Sequence, residues 1–150
     1  MVTSSSGIKE TIDRLRGLTR RELLEAAWRE WGNYKGKKIQ EYFDTEADPR
    51  GNRWHDLSPY TWARKKSSKI LTETGALRKS IRFEPKGGVV FIKSDIAYAR
   101  THNFGSAAKH IPQREFVGFT EEDRKVAEEI FRRVLRESFS AGSFAVRENR

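Results

Sequence analysis

The chain has 150 residues, 36% of them hydrophobic, which suits one modest core and one domain of ordinary size. It contains no cysteine, and this excludes disulfide frameworks, cysteine-ligated zinc, iron–sulfur clusters and thiol catalysis. The formal charge is +9 at pH 7, with fourteen basic and six acidic groups within residues 47–119, so the excess sits in the middle, where it suits nucleic acid, an acidic partner or plain solubility.

No stretch approaches the roughly 18–20 consecutive apolar residues that cross a bilayer, and Met1 to Gly7 lack a signal-peptide core. The expectation is a protein neither membrane-spanning nor exported by that route. Ile8, Ile12 and Leu15 recur at spacings of four and three and predict a short amphipathic helix between Gly7 and Gly17. Thr19 and Glu22 then have capping-box spacing. Beyond them Leu23, Leu24, Ala27, Trp28, Trp31, Tyr34, Ile39, Tyr42 and Phe43 form a broad apolar arc, which predicts a helix to about Asp44. About 25 residues at ~1.5 Å each exceed the ~30 Å diameter of a small domain, so part of this helix is expected to overhang. Gly32 and Gly36 on its arc are either weak spots or points of close approach by another backbone.

Pro49 and Gly51 open a turn-rich stretch to Leu57, and Ser58 followed by Pro59 starts a short helix to about Lys66. Another helical turn is expected near Gly75 to Lys79. Residues 80–84 alternate, Pro85 to Gly88 supply turn chemistry, and Val89 to Lys93 follow, which together predict a β-hairpin. Its second strand is apolar at successive positions, so both faces should be covered, by helices or by a strand from a neighbouring subunit. Ala97 to Phe104 predicts a short helix closed by Gly105. Thr120 caps a final helix that carries Glu121, Glu122 and Asp123 in its first turn and the stripe Val126, Ala127, Ile130, Phe131, Val134 and Leu135. The expected organisation is an arm over 1–18, a single α+β domain over 19–138 with both long helices packed on a small antiparallel sheet, and a flexible tail over 139–150.

The residues offer little chemistry. His55, His102 and His110 lack metal-ligand spacing, and His102 followed by Asn103 is only superficially like a nuclease motif. Asp48 and Asp56 have the residue type of an acid/base pair, but both sit where Asp commonly forms local turns. There is no phosphate-cradling glycine loop and no nucleophile elbow, so no catalytic residue, metal ligand or cofactor is assigned. The basic run Arg64, Lys65, Lys66 and Lys69 reads as a solvated face, as a seat for an acidic neighbour, or as a DNA contact with steep salt dependence.

Four segments carry a resemblance. Asp48-Pro-Arg-Gly51-Asn-Arg-Trp54, Thr74-Gly75-Ala-Leu77, Tyr98-Ala99-Arg-Thr-His102-Asn-Phe-Gly105 and Ile111-Pro112-Gln-Arg114 occur in this order around the hairpin. They resemble the phage virion morphogenesis proteins, including tail-completion proteins of Mu-like and P2-like tailed phages. Each segment also has a structural explanation: Gly75 and Gly105 suit positive φ, Trp54 anchors a turn, Pro112 stiffens a loop, and Arg114 ties down carbonyls or a carboxylate.

The resemblance implies a non-enzymatic virion subunit of tail or neck, present in the host cytoplasm during assembly and needing no cofactor. It implies a ring, by analogy a hexamer, that touches other neck, connector or tail proteins around the DNA channel, with non-specific contact to the DNA. Trp28, Trp31, Val90 and Ile92 are the expected subunit-interface residues. The alternative is a small DNA-binding module that uses the 64–69 run.

Overall fold

The computed structural model describes residues 19–147, with side chains as far as residue 140. The arm expected over 1–18, with its Ile8–Leu15 helix, lies outside the described residues.

The order of elements is α1 (Arg20–Thr45), α2 (Pro59–Arg64), α3 (Ala76–Ser80), β1 (Arg82–Lys86), β2 (Val89–Lys93), α4 (Ala99–Phe104) and α5 (Glu121–Arg147). α1 begins at a complete capping box: Thr19 Oγ1 accepts from the Glu22 N–H, and Glu22 Oε2 accepts from the Thr19 N–H at 2.6 Å. It ends where Glu46 turns left-handed at φ 55°.

Its buried line is Leu23, Ala27, Trp31, Lys35, Ile39 and Phe43 at a uniform spacing of four. Each step of four advances about 40° around a helix of 3.6 residues per turn, so the line winds across about 200° from end to end. One helix therefore serves two cores. Leu23, Ala27 and Trp31 pack with Ile130 and Val134 of α5, while Ile39 and Phe43 pack with Trp54, Ile70, Leu77, Ala99 and Phe116. The helix is buried along its length, and the expected overhang is absent.

The fold is α+β, as the periodicities predict, with both long helices packed against a two-stranded antiparallel hairpin. Gly87 and Gly88 both have positive φ, 64° and 84°, as a two-residue type I′ turn requires. Phe83 on β1 points inward and touches both cores. The outer face of the hairpin is uncovered within the chain, with Val89 and Phe91 exposed, so of the expected cover for β2 the chain's own helices supply one face.

The two glycines of α1 differ. A Cβ at Gly32 would lie 3.0 Å from Phe83 Cβ, an atom fixed to the β1 backbone, whereas at Gly36 the nearest atom is Phe83 Cε2 at 3.5 Å. Gly32 is thus a close approach of strand and helix. Replacement by alanine should have opposite signs at the two sites: Gly36→Ala gains up to about 1 kcal/mol of helix propensity, while overpacking at Gly32→Ala costs about 1–3 kcal/mol. Urea denaturation of the two variants checks this.

Two helix ends differ from expectation. α2 stops at Arg64, because Lys65 is extended. α5 continues to Arg147 where a tail was expected after residue 138. Ser138 does not end it, because its Oγ donates to the Leu135 carbonyl at 2.8 Å and the helix absorbs the hydroxyl.

Candidate interaction surfaces

Three of the four motif segments are tied together by polar contacts beside the α1 core, and the Thr74–Leu77 segment adds Leu77 to that core. Asp48 closes the first turn: its Oδ1 accepts from the Arg50 and Asn52 N–H groups at 2.8 and 2.9 Å, and its Oδ2 from Asn52 Nδ2 at 3.1 Å. Burial pushes the Asp48 carboxyl up, but the Asn52 and Arg50 donors outweigh it and leave it below the usual carboxylate range. Gly51 supplies the positive φ of 88° at the turn. Trp54 then enters the core edge-on to Phe43, and its Nε1 donates to the Glu115 carbonyl at 2.9 Å.

Arg114 is buried and donates from Nε to the His55 carbonyl at 2.7 Å and from Nη2 to the Asp56 carbonyl at 3.0 Å. Asp48 and Asp56 are each bound locally, Asp56 by the Leu57 N–H and the Trp62 indole, so they form no acid/base pair. Asn103, noted in the sequence only for a superficial nuclease likeness, bridges α4 to the stretch after Arg114. Its Oδ1 accepts from the Phe116 and Val117 N–H groups at 3.0 and 2.8 Å, and its Nδ2 donates to the Val117 carbonyl.

Gly75 precedes α3 at φ 76°, and Leu77 and Ala99 are buried core residues. Pro112 follows the bridge in which Ser106 and Ile111 exchange backbone hydrogen bonds at 2.8 and 2.9 Å. At Gly105, with φ 74°, a Cβ would lie 2.9 Å from the Gln113 nitrogen. Both strain and collision therefore oppose Gly105→Ala, which should lower stability by about 2–4 kcal/mol, measured as a drop in the denaturation midpoint at unchanged slope.

Tyr98 and His102 line a groove of about 460 Å³ with Tyr60, Arg64, Leu71 and Leu77. The His102 ring stands edge-on to Tyr98, and its Nδ1 is buried without a partner among the described residues. Burial, and then the Arg114 charge, hold the imidazole below its ordinary pKa, so it is neutral at pH 7. Among the described residues no group of three or more His, Asp or Glu side chains is placed to hold a metal ion, and no helix is long and apolar enough to cross a membrane.

The basic run disperses. Lys65 pairs with Glu73 at 2.6 Å, and Lys69 Nζ donates to the Asp44 carbonyl at the end of α1. Arg64 bonds the Tyr60 hydroxyl and lies 4.8 Å from that ring, while the Lys66 side chain has no carboxylate partner. Of the four, Arg64, Lys66 and Lys69 have no carboxylate partner among the described residues, and Lys69 is held by the Asp44 carbonyl.

Lys35 acquires a role only in the folded chain, where it is 0% exposed. Its Nζ meets Asp123 Oδ2 at 2.6 Å, and the same oxygen accepts from the Thr120 N–H and hydroxyl at 2.8 and 3.0 Å. This pair joins α1 to the N-terminus of α5. The available signal was a lysine placed four residues after Trp31 and four before Ile39, inside an otherwise apolar line.

The expected interface residues sit elsewhere than expected. Trp31 is 2% exposed with its indole N–H on the Asp123 carbonyl, and Trp28 donates to the Gly88 carbonyl, so both serve the chain's own packing. Val90 and Ile92 face inward and are half-buried.

What stays open is an edge. Counting out from the turn-closing pair Lys86↔Val89, bonded and non-bonded pairs alternate, which makes Pro85↔Val90 and Phe83↔Ile92 non-bonded. Pro85, lacking an N–H, thus blunts the outer edge of β1. Val90 and Ile92 direct their backbone groups to the outer edge of β2, which has no proline. Beside that edge, Val89 and Val90 line a hollow of about 550 Å³ with Trp28, Phe119, Glu121 and Ala127.

The motif residues are spent largely on internal anchoring, while aromatic side chains and a sheet edge are left at the surface. That arrangement is in keeping with a structural protein. More specifically, the chain belongs to the phage virion morphogenesis family, whose model matches residues 4–136. It is a phage structural, virion-associated morphogenesis protein. No curated protein matches the chain, and no solved structure does.

Proposed function

We propose that the protein is a tail-completion or neck subunit that joins head to tail as a ring, six copies in keeping with tail symmetry, around the channel through which the DNA passes. The observation that supports this best is the set of exposed aromatics at two places on the surface, Phe91 and Phe119 on and beside β2 with its open edge, and Tyr60 and Tyr98 on the separate groove. Exposed aromatics grouped near an unpaired edge mark a surface made for protein contact. Its partners in this reading are its own copies and the adjoining connector and tail proteins. Contact with the DNA, in this reading, is non-specific and made through the basic surface.

The test is electron microscopy of particles together with sizing of the purified chain. A ring at the head–tail junction and concentration-dependent assembly are expected. Fully joined particles from a phage lacking the gene would overturn the proposal.

A further inference from the structure

We infer that neighbouring copies join head to tail, with the Phe119–Glu122 corner of one copy seated in the Tyr60–Tyr98 groove of the next. This rests on the ring reading above and names its contact. The groove has an apolar floor that includes Leu71 and Leu77, and its rim carries Tyr60, 68% exposed, and Tyr98, 49% exposed. Its charged lining is Arg64, Lys65 and Glu73; Lys65 and Glu73 pair at 2.6 Å, which leaves Arg64, whose partner among the described residues is Tyr60, as the unpaired charge of the wall.

The corner carries the complementary features. Phe119 is 63% exposed, with one ring face stacked on Trp31 at 5.8 Å, and Glu121 and Glu122 come after the intervening Thr120. Glu121 is held by Arg124, while Glu122 is exposed and in no ion pair among the described residues. An aromatic ring followed by a free carboxylate thus faces aromatic walls beside an unpaired cation.

The geometry of assembly follows from the two patches being different. They share no residue, since Phe119 and Glu121 line the hollow by β2 and the groove is formed by α2, α3 and α4. A two-fold pair that set groove against groove would oppose Arg64 to Arg64. A contact between unlike patches repeated head to tail is heterologous, and where its rotation closes it gives a ring. The corner adjoins the free edge of β2, so that edge lies within the same contact.

The experiment uses the full chain, measured by sedimentation velocity and native mass spectrometry. Arg64→Glu and Glu122→Lys should each weaken self-association tenfold or more with circular dichroism unchanged, and the two together should restore it. Because the chain has no cysteine, trapping is clean: Tyr60→Cys mixed with Phe119→Cys should give a disulfide-linked heterodimer, and neither variant alone should cross-link. If the wild type assembles but Arg64→Glu assembles equally well, or if Tyr60→Cys cross-links to itself, this contact falls while the ring reading stands. If the wild type is monomeric at every concentration, both fall.

Discussion

Lys35→Met should lower stability by about 3–5 kcal/mol, roughly 10 °C in melting temperature, although it replaces a charged residue in an apolar line with an apolar one. The cost comes from what is left behind. Asp123 is buried against Trp31 and the α5 N-terminus, its Oδ1 has no partner among the described residues, and without the ammonium its charge is held by Thr120 alone. Asp123→Asn removes the charge but strands the ammonium of Lys35, whose other hydrogen bond is a long 3.4 Å contact to the Tyr42 hydroxyl. The double variant Lys35→Met with Asp123→Asn should therefore be less destabilised than the sum of the singles, since an uncharged pair leaves no buried charge and Asn still caps the helix. Strict additivity in thermal melts would show that the pair is not coupled.

The same pair sets an acid limit. Burial pushes the Asp123 carboxyl up, yet the hydrogen bond and charge of Lys35 and the Thr120 donors outweigh it, and the net pKa lies below the ordinary carboxylate value. A depressed folded-state pKa contributes stability that is complete above the unfolded value of about 3.9 and is lost as pH falls through the folded value. Stability should hold down to about pH 4 and drop below it. Asp123→Asn should flatten that part of the curve, and an unchanged acid transition would place the coupling elsewhere.

Much of this fold was legible because the sequence carries local signals. The Thr19–Glu22 box, the Ser58-Pro59 start, the Gly87-Gly88 turn and the Thr120 cap each determine an element end by backbone hydrogen bonding or positive φ, and each is where the spacing put it. Illegible were the features that depend on which elements meet. Lys35 is ordinary in a helix until α5 is laid against it. Trp31 reads equally as core or interface from periodicity alone, because both require an apolar face. The outer face of β2 has the same composition as its inner face, and only the register with β1 shows that Phe91 points out and Ile92 in.

The surfaces divide in the same way. Motif residues such as Asp48 and Gly105 carry their explanation locally, in a turn or a positive φ. The basic run looked coherent in one dimension, yet Lys65 finds Glu73 and Lys69 finds the end of α1, so half of its charge is consumed by the fold. Pairing across the chain cannot be counted from composition.

Arg114→Ala should cost about 3–5 kcal/mol and act beyond its own position, because the buried guanidinium ties the His55 and Asp56 carbonyls to a segment whose backbone is itself anchored on α4. The His55 and Asp56 carbonyls it satisfies belong to the stretch after Trp54, and its own N–H donates to the His102 carbonyl in α4 at 2.8 Å. Burial works against the cation and the Asp56 carboxylate works for it, so removal strands two carbonyls but no counter-ion. Arg114→Lys keeps the charge but places only one nitrogen where a planar fork now reaches two carbonyls, and about half the loss should remain. Hydrogen exchange distinguishes this from a simple cavity: the Ala variant should lose protection at Trp54 and across α4 together, while α5, tied to the rest through Trp31 and Lys35, keeps its own. Uniform loss across the chain would mean that the two cores on α1 unfold as one unit.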